Sequence, residues 1–151
     1  MKKEKNKMEV SHHLVFPFSS FLFYFFFFSA ISTGTAIGTG RKNTALILAT
    51  DANAPSGKAC KDYYGGGKTD WFLPSKDELN ELYLKRDYIF AVTNESTLFS
   101  SIYNSSSQYT PTGTHMVWAQ FFYSISGLFN DGDQVYNTKD GICPVRAIRA
   151  F

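Results

Sequence analysis

Reactive side chains are scarce in this sequence. Its 151 residues include two cysteines and three histidines, and two of those histidines, His12 and His13, lie in an N-terminal stretch unlike the rest of the chain. A Ser-His-Asp or Cys-His device would therefore rest on His115 alone. A zinc site would have to gather Cys60, Cys143 and His115 from distant points, with no C-x-x-C spacing to start it. Carboxylates that do acid–base work come as positioned pairs, and the sequence marks none. Clustered charge is missing as well. The formal +2 is carried by residues 1–9, with four Lys against two Glu, and from Thr33 onward 11 basic residues meet 11 acidic ones. A nucleic-acid footprint needs Lys and Arg gathered on one face, so no nucleic-acid partner is expected, and no cofactor.

Two stretches resemble ligand loops and fail on their own spacing. "GGGKTDWFLPSKDELNELY", Gly65 to Tyr83, begins like a phosphate-binding loop. Such a loop needs a glycine five residues before Gly67, where Asp62 stands, and a helix directly after Thr69, where Leu73-Pro74 forbids one. "NDGDQVYNTKDGI" has the acidity of a calcium loop. Its alternate positions from Asp131 read Asp, Asp, Val, and its twelfth residue is Ile142 rather than Glu.

The first 32 residues differ from the rest in kind. A lysine-rich start runs into "LVFPFSSFLFYFFFFSAI", which holds eight of the 15 phenylalanines. Three readings fit. A basic start, an apolar stretch and the small residues Ala30 and Ser32 before Thr33 suit a secretory signal peptide. Insertion of residues 14–31 as a whole makes a membrane anchor, although the unbroken apolar part is short for a span. A misassigned start or reading frame in an A/T-rich gene gives the same composition. The cysteines follow the compartment. In an exported chain Cys60 and Cys143 form a disulfide whose long loop stabilises the fold by on the order of 4 kcal/mol, and in a cytosolic one they are buried thiols.

What remains, residues 33–151, has the length of one domain, and 17% aromatic content gives it large side chains to bury. Asn43 caps a short helix through "TALILA", although that apolar run also fits a buried strand. Pro55 and Ser56 open a second helix, ended by Gly65-Gly66-Gly67. Ser75 and Glu78 form a capping box for a third, Lys76 to about Arg86, with Leu79, Leu82 and Tyr83 on one face. Beyond Arg86 the texture becomes that of antiparallel strands: "HMVWAQFFYS" is one, "NDGD" a hairpin turn using Asp131-Gly132, and "PVRAIRAF" a terminal strand. Helices first and strands later give an α+β fold.

The runs "GTAIGTGRKNTALI", "ACKDYYGGGKTDWFLPSKDELNELY", "LFSS", "VWAQFF", "FNDGDQ" and "PVRAIRAF" resemble the bacterial family named for the C-terminal domain of the Lcl collagen-like adhesin. The similarity covers about residues 34–151, and "DWFLPSKDEL" and "VRAIRAF" are its most specific parts. It implies a C-type-lectin-like domain, related in fold to the sulfatase-modifying enzymes, found in secreted, periplasmic or surface proteins, with no established catalytic activity. The adhesin domain binds sulfated polysaccharide, so the implied partner is a surface or extracellular polysaccharide. Two positions depart from the family. The phenylalanine-rich segment stands where members have a glycine-rich N-terminal strand, so the domain is expected to lack that strand and leave "PVRAIRAF" with an open edge. Phe99 stands where tryptophan is usual.

Trp118, Arg146 and Arg149 are the candidate ligand residues: the indole to stack on a sugar ring, the guanidiniums to grip a sulfate or carboxylate. Each has a structural alternative, Trp118 in the core and the arginines paired to Asp70 or Asp77. Trp71 is expected to anchor the core, with Asp70 bonding the glycine turn or an arginine. The reading that results is a non-enzymatic binding or adhesion module for sulfated or acidic glycans. Its rivals are a degenerate enzyme of the sulfatase-modifying type, which needs two free thiols, and a truncated gene product without a function of its own.

Overall fold

Among the described residues from Ile31 onward, four helices precede the antiparallel strands, the α+β order expected. The computed structural model describes residues 8–10, 31–93, 101–110, 115–139 and 143–150. The phenylalanine-rich stretch, Phe99 and Phe151 lie outside these residues.

Strand β1, Met8–Val10, is followed by helices α1 (Gly40–Thr50), α2 (Pro55–Asp62), α3 (Lys76–Leu84) and α4 (Arg86–Thr93). Proline sits at the start of α2, where its missing N–H costs nothing. After α2 the chain turns through Gly66 and Gly67 at φ 61° and 68°, a left-handed reversal that suits glycine. The Ser75–Glu78 capping box is present at α3. Two helix expectations need correction. Asn43 lies inside α1 rather than at its cap, buried, with its amide donating to Gly34 O and Ser106 Oγ. Residues 86–93 are helical, not strand-like, because Ile89 turns inward behind Leu82 to extend the apolar face of α3.

The main sheet is antiparallel, in the order β2 (Ile102–Tyr109), β3 (Met116–Phe121), β4 (Gln134–Thr138). The β3–β4 hairpin pairs Trp118 with Tyr136 and Gln120 with Gln134. The tight Asp131-Gly132 hairpin turn expected is corrected, since residues 122–133 join the strands and Gly132, φ 89°, ends that connection with its N–H on Phe121 O at 3.0 Å. Strand β2 is polar yet buried from Tyr103 to Gln108. Its register against β3 shifts between Asn104 and Gln108. The serines between them bond sideways instead: Ser106 N–H to Pro74 O at 2.7 Å, Ser107 Oγ to Gly34 O at 2.7 Å, and Gln108 N–H to Thr33 Oγ1 at 2.7 Å. Short hydroxyl side chains satisfy buried backbone groups there, which lets so polar a strand sit inside.

The last strand, β5 (Ile148–Ala150), is shorter than "PVRAIRAF" suggested, and its edge is not open. Met8–Val10 pairs with it antiparallel, Glu9 opposite Arg149. An N-terminal strand thus exists, drawn from the segment expected to be a signal peptide, an anchor or a misassigned start. Ile31, also inside that segment, packs on the core and donates its N–H to Gln108 Oε1. The ordered fold therefore begins before Thr33.

Two cores share one wall. Trp71, Leu73 and Ala147 enter the first, with Ile47, Cys60 and Val117, while Phe72 and Ile148 enter the second, with Leu79, Leu82 and Phe122. Alternation along two extended segments produces the split. Phe72 and Ile148 exchange both backbone hydrogen bonds, at 2.9 and 3.0 Å, and hold the segments together. "DWFLP" is this wall, and Trp71, 6% exposed and edge-on to Tyr63, fills the first core as expected. Cys60 and Cys143 are both buried free thiols, so the disulfide is replaced by its stated alternative.

Candidate functional site

One glutamate organises the junction from which the site is built. Glu78, 3% exposed, accepts from Ser75 N–H at 2.7 Å within its own cap, and also from Gly38 N–H at 2.9 Å and Gly40 N–H at 3.2 Å. Its carboxylate thus caps α1 as well as α3, two positive helix ends on one anion. A side chain on Gly40 would lie 2.2 Å from Glu78 Oε2, so only glycine lets the helices approach this closely. The first turn of α3 is thereby fixed over the sheet. Lys76 N–H donates to Ser107 Oγ at 2.9 Å, and Gln134 Nε2 donates to Lys76 O at 3.1 Å.

From that anchored turn Lys76 Nζ lies 4.4 Å from the centre of the Trp118 ring, within cation–π range. Trp118 stands edge-on to Tyr109, centroids 4.9 Å apart. Tyr109 stacks on Tyr136 at 4.8 Å and an interplanar angle of 16°. The register places Met116, Trp118 and Gln120 of β3 with Thr138, Tyr136 and Gln134 of β4 on one face, and Tyr109 joins it opposite Met116. Asn80 of α3 covers the Gln120 end, receiving its amide at 2.8 Å. The other end is uncovered: Tyr136 is 54% exposed, and Trp118 and Tyr109 are half-buried. Three rings and a lysine form a polar-edged aromatic shelf able to stack on a flat apolar ring face and to hold an anion beside it.

The predicted site residues do not assemble as expected. Trp118 is on the shelf. Arg149 is committed to Asp70, Nε to Oδ1 at 2.9 Å and Nη2 to Oδ2 at 3.2 Å, with Arg41 3.6 Å away on the same carboxylate. The hydrogen bonds from Arg149 hold the Asp70 carboxyl below its ordinary range. Arg146 is 5% exposed, with its guanidinium 5.9 Å from the Tyr103 ring centre, so it faces protein. The arginine pair is therefore not an open anion grip. Strand alternation explains it: Arg146 goes to the inner face and Arg149 to the segment carrying Asp70.

Sequence reading missed Tyr109, Tyr136 and Lys76. A tight turn at Asp131-Gly132 would set Tyr136 opposite Gly127; Trp118 faces Tyr136 because residues 122–133 all belong to the connection. Tyr109 and Lys76 depended on the β2 register and the double cap, neither legible beforehand. Elsewhere, burial raises the Cys60 thiol, and it raises Cys143 against the Asn137 amide that bonds its sulfur at 3.0 Å. Burial also lowers the Lys139 ammonium to about 8. Among the described residues no group of three or more His, Cys, Asp or Glu could hold a metal ion, and no helix is long and apolar enough to cross a membrane. No protein-family model matches the chain, and no curated protein matches it.

Proposed function

We propose that this chain is a non-enzymatic binding module of the Lcl C-terminal type, with a C-type-lectin-like fold, and that it takes sulfated or acidic polysaccharide on the Tyr109–Trp118–Tyr136 shelf. The observation that carries the reading is the stacked Tyr109–Tyr136 pair, more than half exposed at Tyr136, with Lys76 poised over the neighbouring indole. One face of Tyr136 is used against Tyr109, and the solvent-exposed remainder is free for a pyranose. The ammonium supplies the charge that a sulfate or carboxylate substituent needs. The α+β order and the pairing of β1 with β5 support the fold assignment. The rival enzyme reading needs reactive thiolates. Both thiols are free but buried, and burial disfavours their ionised form.

The test is retention of the full chain on immobilised dextran sulfate against unmodified dextran. Retention on the sulfated matrix alone, weakened by salt and by Lys76→Gln, is the expected result. Equal retention of both matrices, or of neither, overturns it.

A further inference from the structure

β1 covers the outer edge of β5. Ile148 spends both its N–H and its C=O on Phe72, at 3.0 and 2.9 Å. By strand alternation, the Arg149 backbone groups face the opposite way, where Glu9 lies across from them. β5 is thus a strand bonded on one side by the wall segment and on the other by β1. The sheet that β1 and β5 form has no third named strand, and its register covers three residue pairs. Twenty residues, 11–30, separate Val10 from Ile31, which is bonded to Gln108. Extended, they would span up to roughly 70 Å, well beyond the width of one domain.

We propose that β5 is a strand-acceptor edge and that β1 exchanges between copies of this chain, Met8–Val10 of one copy completing β5 of another. Antiparallel addition at an edge makes the same backbone hydrogen bonds whether the strand comes from the same chain or a second one. A strand held by three residue pairs is displaced when the concentration of competing copies approaches its own effective concentration, on the order of millimolar. Reciprocal exchange then joins two domains through two edges and leaves neither open, which suits an interaction between identical copies.

The experiment mixes two single-cysteine variants of the full chain, Met8→Cys and Ala150→Cys, under mild oxidation. Met8 and Ala150 are directly opposed in a pair without hydrogen bonds between them, where Cα atoms lie about 4.5 Å apart, inside disulfide range. Ala150 is exposed and tolerates the change, and the native thiols are buried. Peptide mass mapping identifies the bond. The expected result is a covalent dimer joined from residue 8 to residue 150 whose yield rises with protein concentration and falls at least several-fold when Glu9→Pro removes the donor facing Arg149. A double variant, Met8→Cys with Ala150→Cys, reports the pairing within one chain. If it closes as a monomer while the mixture gives no dimer linked from residue 8 to residue 150 up to millimolar concentration, the exchange is refuted.

Discussion

Glu78 gives the sharpest test of how the helices are held. A capping box alone predicts that Ser75→Ala and Glu78→Ala cost the same, about 1 kcal/mol each. The structure predicts a large difference. Glu78 is 3% exposed and accepts three backbone N–H groups, from Ser75, Gly38 and Gly40. Hydrogen bonds to a charged group contribute roughly 1.5–3 kcal/mol, and each buried donor left without a partner costs about 1–3 kcal/mol. Glu78→Ala strands two buried donors, the Ser75 and Gly40 N–H groups, and leaves the exposed Gly38 N–H to water, so a loss of about 3–5 kcal/mol is expected, a large part of the roughly 5–15 kcal/mol that stabilises a domain. Glu78→Gln keeps one acceptor but turns an amide N–H₂ toward the other donors, and should cost about 2–3 kcal/mol. Ser75→Ala removes only the hydroxyl that accepts from Glu78 N–H and donates to Ala36 O, and should cost about 1–2 kcal/mol. Urea unfolding followed by far-ultraviolet dichroism reads the midpoints, with the slope checked for constancy. A Glu78→Ala loss no larger than that of Ser75→Ala would refute the double cap.

Gly40→Ala should destabilise by about 1–3 kcal/mol, since its new methyl would meet Glu78 Oε2 at 2.2 Å and Leu73 O at 2.6 Å; an unchanged unfolding midpoint would contradict it. Gly132→Ala should cost a similar amount, from a backbone at φ 89° and a new methyl that would lie 2.6 Å from the Tyr83 ring, checked by the same unfolding curve. Asp70→Asn should lose about 1 kcal/mol near neutral pH, a modest figure because the carboxylate is one-third exposed. The Asp70 carboxyl is held below its ordinary range, so its contribution is complete above about pH 4 and vanishes as pH falls through the lowered folded value; the gap between parent and variant should close on acidification, as read by thermal melts across pH.

Short-range chemistry was legible and long-range register was not. Ser75 and Glu78 announced α3 through the spacing of a cap, and the glycines before Trp71 announced a turn. The same Glu78 also serves α1, 38 residues upstream, which no local pattern encodes. Strand β2 was obscured because "NSSSQ" reads as loop by composition. It is a strand because hydroxyls and amides bond Gly34, Pro74 and Thr33 around it, partners that only the folded chain supplies. β1 was hidden for a related reason: three residues next to an apolar run carry no strand signal until β5 is there to receive them. At the site, Trp118 was found as a lone aromatic. The arginines misled, because the sequence could name Asp70 as a partner for Arg149 but could not show that Arg146 turns inward.

If the aromatic shelf, rather than the arginines, carries the proposed polysaccharide site, binding depends on its exposed tyrosine ring. The direct measurement is an equilibrium titration of the folded chain with dextran sulfate, following tryptophan fluorescence at fixed salt, for the parent, Tyr136→Ala and Lys42→Gln. Lys42 is exposed on α1, outside the shelf, and controls for charge alone. Tyr136→Ala is expected to weaken binding by about tenfold or more, some 1.4 kcal/mol, while Lys42→Gln changes it less than about twofold. Binding unchanged by Tyr136→Ala, or weakened as much by Lys42→Gln, would contradict it.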